Sequence, residues 1–322
     1  MTHAGPIVVR APGKVVLWGE YAVLIGAPAL VQAVDRYAHC HLSLAKSGWR
    51  FATHGFHAPA VDLSLTSLTR PKPPPQAAAA LAWHVLQDYL DDALPPALTT
   101  NTHSDDFYTA GQKLGLGSSA AVCVALHAAY AALLGKRPNF ETARKAHQRA
   151  QGRQGSGIDV AASFYGGLLR FEAGNAQSMP DSLPSRLFVW TGRAAATTTH
   201  LARFADYRKG GDHRALDKLA SASSALFESA SLEALAEYCR RLHALDQAAG
   251  LGIYSEEHLA LEQLANDHEL VYKPCGAGGG DIGVAFTGTD NGAIVQFTSA
   301  VKQAGFAVLT LETATHGIEV SA

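Results

Sequence analysis

The chain has 322 residues, long for one compact core and sufficient for two domains. Its composition, 48% hydrophobic and 17% charged, is that of an ordinary globular protein. The formal net charge of −2 excludes the broad basic face that nucleic acid requires, while leaving room for a local basic pocket.

The opening Met-Thr-His-Ala-Gly-Pro has no basic region followed by an apolar run, so no secretory signal is expected. No apolar stretch reaches the roughly 18 residues of a membrane span. The four cysteines, Cys40, Cys123, Cys239 and Cys275, stand far apart with no CxxC pair. That argues against structural zinc and a disulfide framework and for the reducing cytoplasm. Residues 7–10 and 14–18 read as strands separated by a turn at Pro12-Gly13. Residues 29–45 alternate in part and read as one long bent strand. Within it His39-Cys40-His41 has a metal-like look, but alternate strand residues face opposite ways, which favours a strand crossing a core. Pro71-Lys72-Pro73-Pro74-Pro75 is a stiff surface connection.

From Ala77 to about Asp92, Leu81, Val85, Leu86, Tyr89 and Leu90 recur at helical spacing. A strand near 98–103 follows, then a polar, glycine-containing stretch from Ser104 to Lys113. Ala120 to Leu134 reads as a helix apolar on all sides, hence buried, with Ser118 or Ser119 as its cap and Gly135 at its end. Asn139 caps the next helix, which runs to about Gln151 and stops at Gly152. Strands are expected at 166–172 and 186–191, two or three long helices across 198–249, and another over 256–268. The tail reads as a strand near 281–286, a helix near 292–303 and a strand near 305–311. Strands and helices come in blocks without steady alternation, so the fold class is α+β. Apolar residues thin out near 175–186, which divides the chain into residues 1–180 and 181–322.

Three segments carry chemistry. In Lys113-Leu114-Gly115-Leu116-Gly117-Ser118-Ser119-Ala120-Ala121, two glycines permit tight turning and close approach. The serines then open a helix whose free N–H groups suit a polyphosphate. Gly115-x-Gly117-x-x-Ala120 also satisfies a dinucleotide fingerprint, but Phe107 to Lys113 is a poor strand and no acid stands about 20 residues on. A P-loop would need Gly-Lys-Ser/Thr, which is missing. A plain helix cap remains open for this segment taken alone. The second segment, Ala11 to Leu24, sets Lys14 beside a turn and Glu20 after it. The third, Lys273-Pro274-Cys275-Gly276-Ala277-Gly278-Gly279-Gly280-Asp281, holds four glycines before a strand. Such a run is costly to order and implies that backbone must approach something closely.

In this order, the three segments resemble the three motifs of the GHMP kinases, and the resemblance covers nearly the whole chain. It implies a two-domain α+β fold: an N-terminal domain similar to the second domain of ribosomal protein S5, and a ferredoxin-like C-terminal domain. ATP and a small-molecule substrate would lie in the cleft between them. Gly19-Glu20-Tyr21-Ala22-Val23-Leu24, the Lys113 before the loop, and Gln151 to Ser163 with Tyr165-Gly166-Gly167 look most like the phosphomevalonate kinases. Mevalonate kinases come next, and a non-catalytic nucleotide-binding relative is the alternative from another class.

The resemblance implies Lys14 and Asp159 as catalytic residues. Lys113, Gly115, Leu116, Gly117, Ser118, Ser119 and Ala120 would hold ATP. Glu20, Tyr21, Arg153, Ser156, Gly157, Lys273, Gly278 and Gly279 would bind substrate. Ser119 would bind Mg²⁺. Mevalonate kinases place a second ligand, a glutamate, eleven residues before the catalytic aspartate; here that position is Gln148, a weaker ligand for a hard cation. The acceptor decides what Asp159 must do. An alcohol needs a base, whereas a phosphate monoester, with a second pKa of about 6, is already anionic. A phosphorylated acceptor needs cations, and Lys113, Arg149, Arg153, Arg193 and Lys273 are the candidates, Lys113 and Lys273 foremost because they adjoin glycines. His147, His200, Ser104, Asp105 and Asp106 either line the cleft or serve structure. The expected partner is a small molecule, and the expected assembly a monomer or homodimer.

Overall fold

The computed structural model describes residues 5–56, 58–152, 155–195, 197–288 and 291–321. Strand β1 (Ile7–Trp18) is continuous, and its pairing with β2 (Ala29–Leu44) slips register between Pro12 and Gly13. The expected turn is therefore a bulge, the place where a strand can carry proline and glycine. Strands β3 (Trp49–His54) and β4 (Val61–Leu63) and the single-turn helix α1 (Leu65–Leu68) follow. Helix α2 (Ala77–Leu86) is shorter than its apolar period suggests. Asp88, Asp91 and Asp92 stand just beyond its end, where carboxylates oppose the helix dipole. Tyr89 instead turns its hydroxyl to His127 at 3.0 Å.

After β5 (Leu98–His103), a small hairpin of β6 (Tyr108–Thr109) and β7 (Gln112–Lys113) leads into helix α3 (Ser118–Leu133). α3 is buried nearly all round, as its composition requires. Its alanines let it lie close against the sheet, and Val124 and Leu126 each add roughly 1.5–3 kcal/mol of burial. No serine caps it: Gly117, in the left-handed conformation, is the N-cap, and no side chain bonds to the cap. Helix α4 (Phe140–Ala150) is capped by Asn139, whose side chain accepts from the Thr142 N–H. Helix α5 (Ile158–Tyr165) leads to the hairpin β8 (Leu168–Glu172) and β9 (Asn175–Met179).

The second half begins with β10 (Ser185–Trp190). Helices α6 (Thr197–Tyr207), α7 (Arg214–Glu228), α8 (Leu232–Ala249) and α9 (Glu256–Asn266) follow. Strands β11 (Val271–Pro274) and β12 (Ile282–Thr287), helix α10 (Asn291–Gln303), and strands β13 (Ala307–Leu309) and β14 (Glu319–Ser321) complete the chain.

The fold is α+β. The large sheet runs β14-β1-β2-β5-β3-β4, with β8 also paired to β2 and β9 to β8. The small sheet runs β11-β12-β10-β13 and is antiparallel throughout. In chain order its elements read strand, helices, two strands, helix, strand, with the first strand between the third and the fourth, which is the ferredoxin-like arrangement. β14 carries the end of the chain back to β1 in the large sheet. Cys40 is buried in β2 while His41 faces outward, so the strand alternation expected for this triplet holds. All four cysteines are free and buried. Among the described residues no helix is long and apolar enough to cross a membrane.

Candidate functional site

The site forms where β1, the loop before α3 and the segment between β11 and β12 meet. The Lys14 N–H donates to the Leu116 carbonyl at 2.8 Å, and Lys14 Nζ lies 3.4 Å from the Gly115 carbonyl. This ties the lysine-bearing strand to the glycine loop along backbone and side chain. Gly117 takes φ +82°, and a Cβ there would lie 3.0 Å from the Lys14 side chain. Gly115 takes φ +81°, and a Cβ there would lie 2.3 Å from the Asp281 carboxyl carbon. Only glycine lets this loop pass between Lys14 and Asp281.

Asp281 ends the third glycine segment at φ +58°. Its N–H donates to the Arg193 carbonyl at 2.7 Å, and its Oδ1 accepts from the Ala195 N–H at 2.9 Å. Burial pushes its carboxyl pKa up, while the Ala195 N–H, Lys14, Lys113 and His200 act against that rise. Lys113, at the end of β7, faces the open cleft. Its enclosure by the cleft walls holds its pKa below the usual lysine value, with Lys14 adding to that effect and Asp281 and Asp159 opposing it. Two lysines and two carboxylates thus share one field at the mouth of the loop.

Ser118 and Ser119 form the first turn of α3. Because neither caps the helix, the positive end of its dipole opens onto the cleft. Ser119 Oγ lies 3.1 Å from His147 Nε2. Asp159 stands in the first turn of α5, where its Oδ1 accepts from the Val160 N–H at 2.9 Å. The cap of α5 is Gly157, and Ser156 Oγ accepts from the Ile158 N–H at 3.3 Å. A cavity of about 380 Å³ lined by Phe51, Phe56, Leu81, Tyr108 and Val122 opens beside Lys113, Ser118 and Ser119. A smaller one of about 90 Å³ lies between Lys14, Gly115, Gly276, Ala277 and Asp281. An apolar recess beside Lys113 and the serines that open α3, with a second, glycine-lined pocket at Lys14, suits a ligand with a flat base and a phosphate chain.

Several expected substrate contacts are turned elsewhere. Lys273 is fully buried, with Nζ 2.5 Å from Glu20 Oε1. Tyr238 donates to Glu20 Oε2 at 2.7 Å and accepts from the Gly19 N–H at 2.8 Å. Burial works against the Lys273 charge, but the Glu20 carboxylate holds its pKa above the usual lysine value. Neither Lys273 nor Glu20 can meet an acceptor, because each is consumed by the other in the core. Tyr21 is buried too and donates to the Ala277 carbonyl at 2.6 Å, which holds the third segment rather than a substrate. The glycines of that segment approach protein. A Cβ at Gly278 would lie 2.5 Å from Ile253, and one at Gly279 would lie 2.5 Å from His200.

Arg149 is taken by Asp88 at 2.5 Å and by the His84 carbonyl at 2.8 Å. Arg193 pairs with Glu257 at 3.6 Å. Arg153 lies outside the described residues. Of the candidate cations, Lys113 is the one described here facing the cleft with its ammonium uncommitted to a paired carboxylate. Ser104 donates to the His54 carbonyl at 3.2 Å just beyond the end of β5, and Asp106 accepts from the Tyr37 N–H at 3.3 Å at the bulge of β2, both structural roles. Gln148 directs its amide to the Gly155 carbonyl at 3.4 Å, and it is His147, one residue earlier, that meets Ser119. A helix turns about 100° per residue, so of these two neighbours it is His147, a cleft candidate in the sequence, whose side chain faces α3.

Two contributors were not singled out as site residues from sequence: Asp281, and the apolar cavity built by β3, β5, α2 and α3. The acid closing a glycine run was a usable signal for the first. The second assembles from distant strands and had no local signal.

Among the described residues no group of three or more His, Cys, Asp and Glu side chains could hold a metal. Hard oxygen donors near the loop include Ser118, Ser119, Asp159 and the Asp281 carboxylate. Such a set fits a Mg²⁺ that keeps several waters and takes most other ligands from phosphates.

Comparison with known proteins gives a consistent result. The GHMP kinases N-terminal domain matches residues 80–167. Phosphomevalonate kinase from Streptomyces sp. (strain CL190) is 30% identical across 97% of this chain and 98% of its own. Mevalonate kinase from Archaeoglobus fulgidus is 29% identical across 85% of this chain and 90% of its own. The solved structure of Streptococcus pneumoniae phosphomevalonate kinase in complex with phosphomevalonate and AMPPNP superposes with a TM-score of 0.75 at 20% identity, covering 95% of this chain and 99% of that one, a likeness of fold.

Proposed function

The chain belongs to the GHMP kinases, a family of small-molecule phosphotransferases, and from that premise we propose that it transfers the γ-phosphoryl group of ATP to 5-phosphomevalonate, giving 5-diphosphomevalonate and ADP. The observation that carries this reading is the convergence of Lys14, Lys113 and the start of α3 around one glycine loop, with an apolar cavity opening beside Lys113 and Ser119. Phosphoryl transfer depends chiefly on positioning and charge neutralisation, and these groups supply both.

The base of ATP would occupy the apolar cavity, and its phosphates the loop from Gly115 to Ser119. Lys14 would face the moving phosphoryl group and offset the charge that develops on it. Lys113, uncommitted in the cleft, would meet the phosphate of the acceptor. A Mg²⁺ held by Ser119, phosphate oxygens and water would neutralise phosphate charge. Asp159 would mainly orient Lys14 and the acceptor. An acceptor that is already anionic asks only for orientation. The full-length similarity to a phosphomevalonate kinase points the same way.

Phosphorylation of mevalonate itself is the second reading, favoured by the 29% identity to an archaeal mevalonate kinase. Coupled ADP-release assays with mevalonate, 5-phosphomevalonate, galactose and homoserine separate the two, with ³¹P NMR to identify the product. We expect turnover with 5-phosphomevalonate. Turnover with mevalonate alone moves the assignment to the second reading, and turnover with none removes the kinase reading for this chain.

A further inference from the structure

His147 stands between the two halves of this site. It lies on α4 and is 2% exposed. Nε2 is 3.1 Å from Ser119 Oγ, in the first turn of α3. Nδ1 is 3.9 Å from Asp159 Oδ2, in the first turn of α5. One imidazole therefore stands between a hydroxyl on the nucleotide side, to which it is hydrogen-bonded, and a carboxylate on the acceptor side, which it faces at longer range.

Two other deeply buried histidines show what a purely structural histidine looks like in this protein. His127 has Nδ1 3.0 Å from the Tyr89 hydroxyl, and its Nε2 accepts from the Asn139 N–H at 3.0 Å. His258 has Nδ1 2.8 Å from the Tyr272 hydroxyl and Nε2 2.9 Å from the Gly280 carbonyl. Each is satisfied by a core tyrosine and the backbone, and burial lowers the pKa of each to about 4. His147 instead has two side-chain neighbours, and both open onto the cleft.

We propose that His147 is a positioning residue that couples Ser119 to Asp159, so that nucleotide binding and acceptor alignment are set by one side chain. The inference rests on the kinase reading above, but not on which acceptor is used. We assign the imidazole proton to Nδ1, because that nitrogen faces the carboxylate. Nε2 then offers a lone pair and accepts the Ser119 O–H. The Ser119 hydroxyl proton is thereby committed inward, and its lone pairs are left for the phosphate-bearing side. Asp159 is held at Oδ1 by the Val160 N–H, and its Oδ2 lies 3.9 Å from His147 Nδ1, close enough for the imidazole N–H dipole to favour that orientation of the carboxylate. Residues of this kind orient groups that touch the ligand without touching it themselves.

The test measures AMPPNP affinity by calorimetry, with and without Mg²⁺ and with no acceptor present. Ser119→Ala and His147→Phe should each weaken binding on the order of 10-fold. The double variant should bind about as Ser119→Ala alone does, because His147 acts through Ser119. Losses that multiply would overturn the coupling. If His147→Phe does not fold, as thermal melts will show, His147→Gln and His147→Asn decide. The Gln amide reaches the Nε2 position and should retain AMPPNP affinity; the Asn amide reaches only the Nδ1 position and should lose it. Equal losses, or the reverse order, would overturn the proposal. A kinase found to act on mevalonate would leave this result standing, whereas wild-type protein that binds no AMPPNP would remove both readings.

Discussion

Lys14 and Lys273 each stand next to a glycine-bearing segment, yet the two regions use lysine and glycine in opposite ways. Around Lys14 the glycines thin the wall between a cation and the cleft: Gly115 and Gly117 leave space that a Cβ would take from Asp281 and from Lys14 itself. Around Lys273 the glycines let protein close on protein, with Gly278 against Ile253 and Gly279 against His200. One lysine borders a cavity and the other is sealed in the core with Glu20 and Tyr238. The difference shows that a lysine beside glycines identifies a close approach, not what is approached. The second region supports the first, since Glu20 stands two residues beyond β1, the strand that carries Lys14, and Lys273 leads into the segment that ends in Asp281.

The sharpest way to break this comparison is to remove each lysine. Lys14→Met should lower turnover on the order of 10³-fold while the protein melts almost unchanged, because it deletes charge stabilisation and no core contact. Asp159→Asn should cost far less if the acceptor is 5-phosphomevalonate. Equal and severe losses in steady-state assays would point to an alcohol acceptor that needs a base. Lys273→Met should do the reverse. It leaves Glu20 charged and buried, at a cost of about 3–5 kcal/mol read from urea denaturation, with turnover per folded molecule largely kept. Replacing the pair together, Glu20→Leu with Lys273→Met, should recover most of that stability. A double variant as unstable as the single one would mean that the pair does more than satisfy itself.

The smallest expected effect concerns Asp281, at the seam of the two regions. Burial raises its carboxyl pKa, so the folded state holds this proton more tightly than the unfolded chain does. Its contribution to stability is complete below the ordinary aspartate range and is lost as pH rises through the raised value. Asp281→Asn should remove that dependence: urea midpoints measured across a pH series should fall less steeply on the alkaline side of the aspartate range than for the parent protein. An unchanged slope would mean that Lys14 and Lys113 balance burial at this carboxylate, and a slope that steepens in the variant would mean that they outweigh it.

Much of the fold was legible because its signals are local. The apolar periodicity of α3, the Asn139 cap, and the strands at 98–103 and 186–191 each depend on neighbours within a turn or a pleat. The strands without a reading in the sequence, β3, β4, β6, β7, β9, β11 and β14, are short, polar or both, and they exist because a neighbouring strand offers a ladder. β9 is held by the hairpin with β8, whose turn takes positive φ at Ala173 and Gly174. The cap of α3 was misread for a related reason. Serine is the common N-cap, but with glycine at position 117 the chain reaches the helix in a left-handed conformation, and both hydroxyls are left for other partners.

What the sequence determined by itself was the local chemistry: where the chain can turn left-handed, which helix must be buried, and which three segments share the character of one kinase family. Those properties are set by φ, ψ and side-chain volume within a few residues. Only the tertiary structure decided which cation faces the cleft, which is spent in the core, and which histidine touches Ser119. Glu20 and Lys273 are 253 positions apart, and no pattern along the chain records that they meet. A charge takes its role from its dielectric surroundings and its partner, and both are assembled only when distant segments pack together.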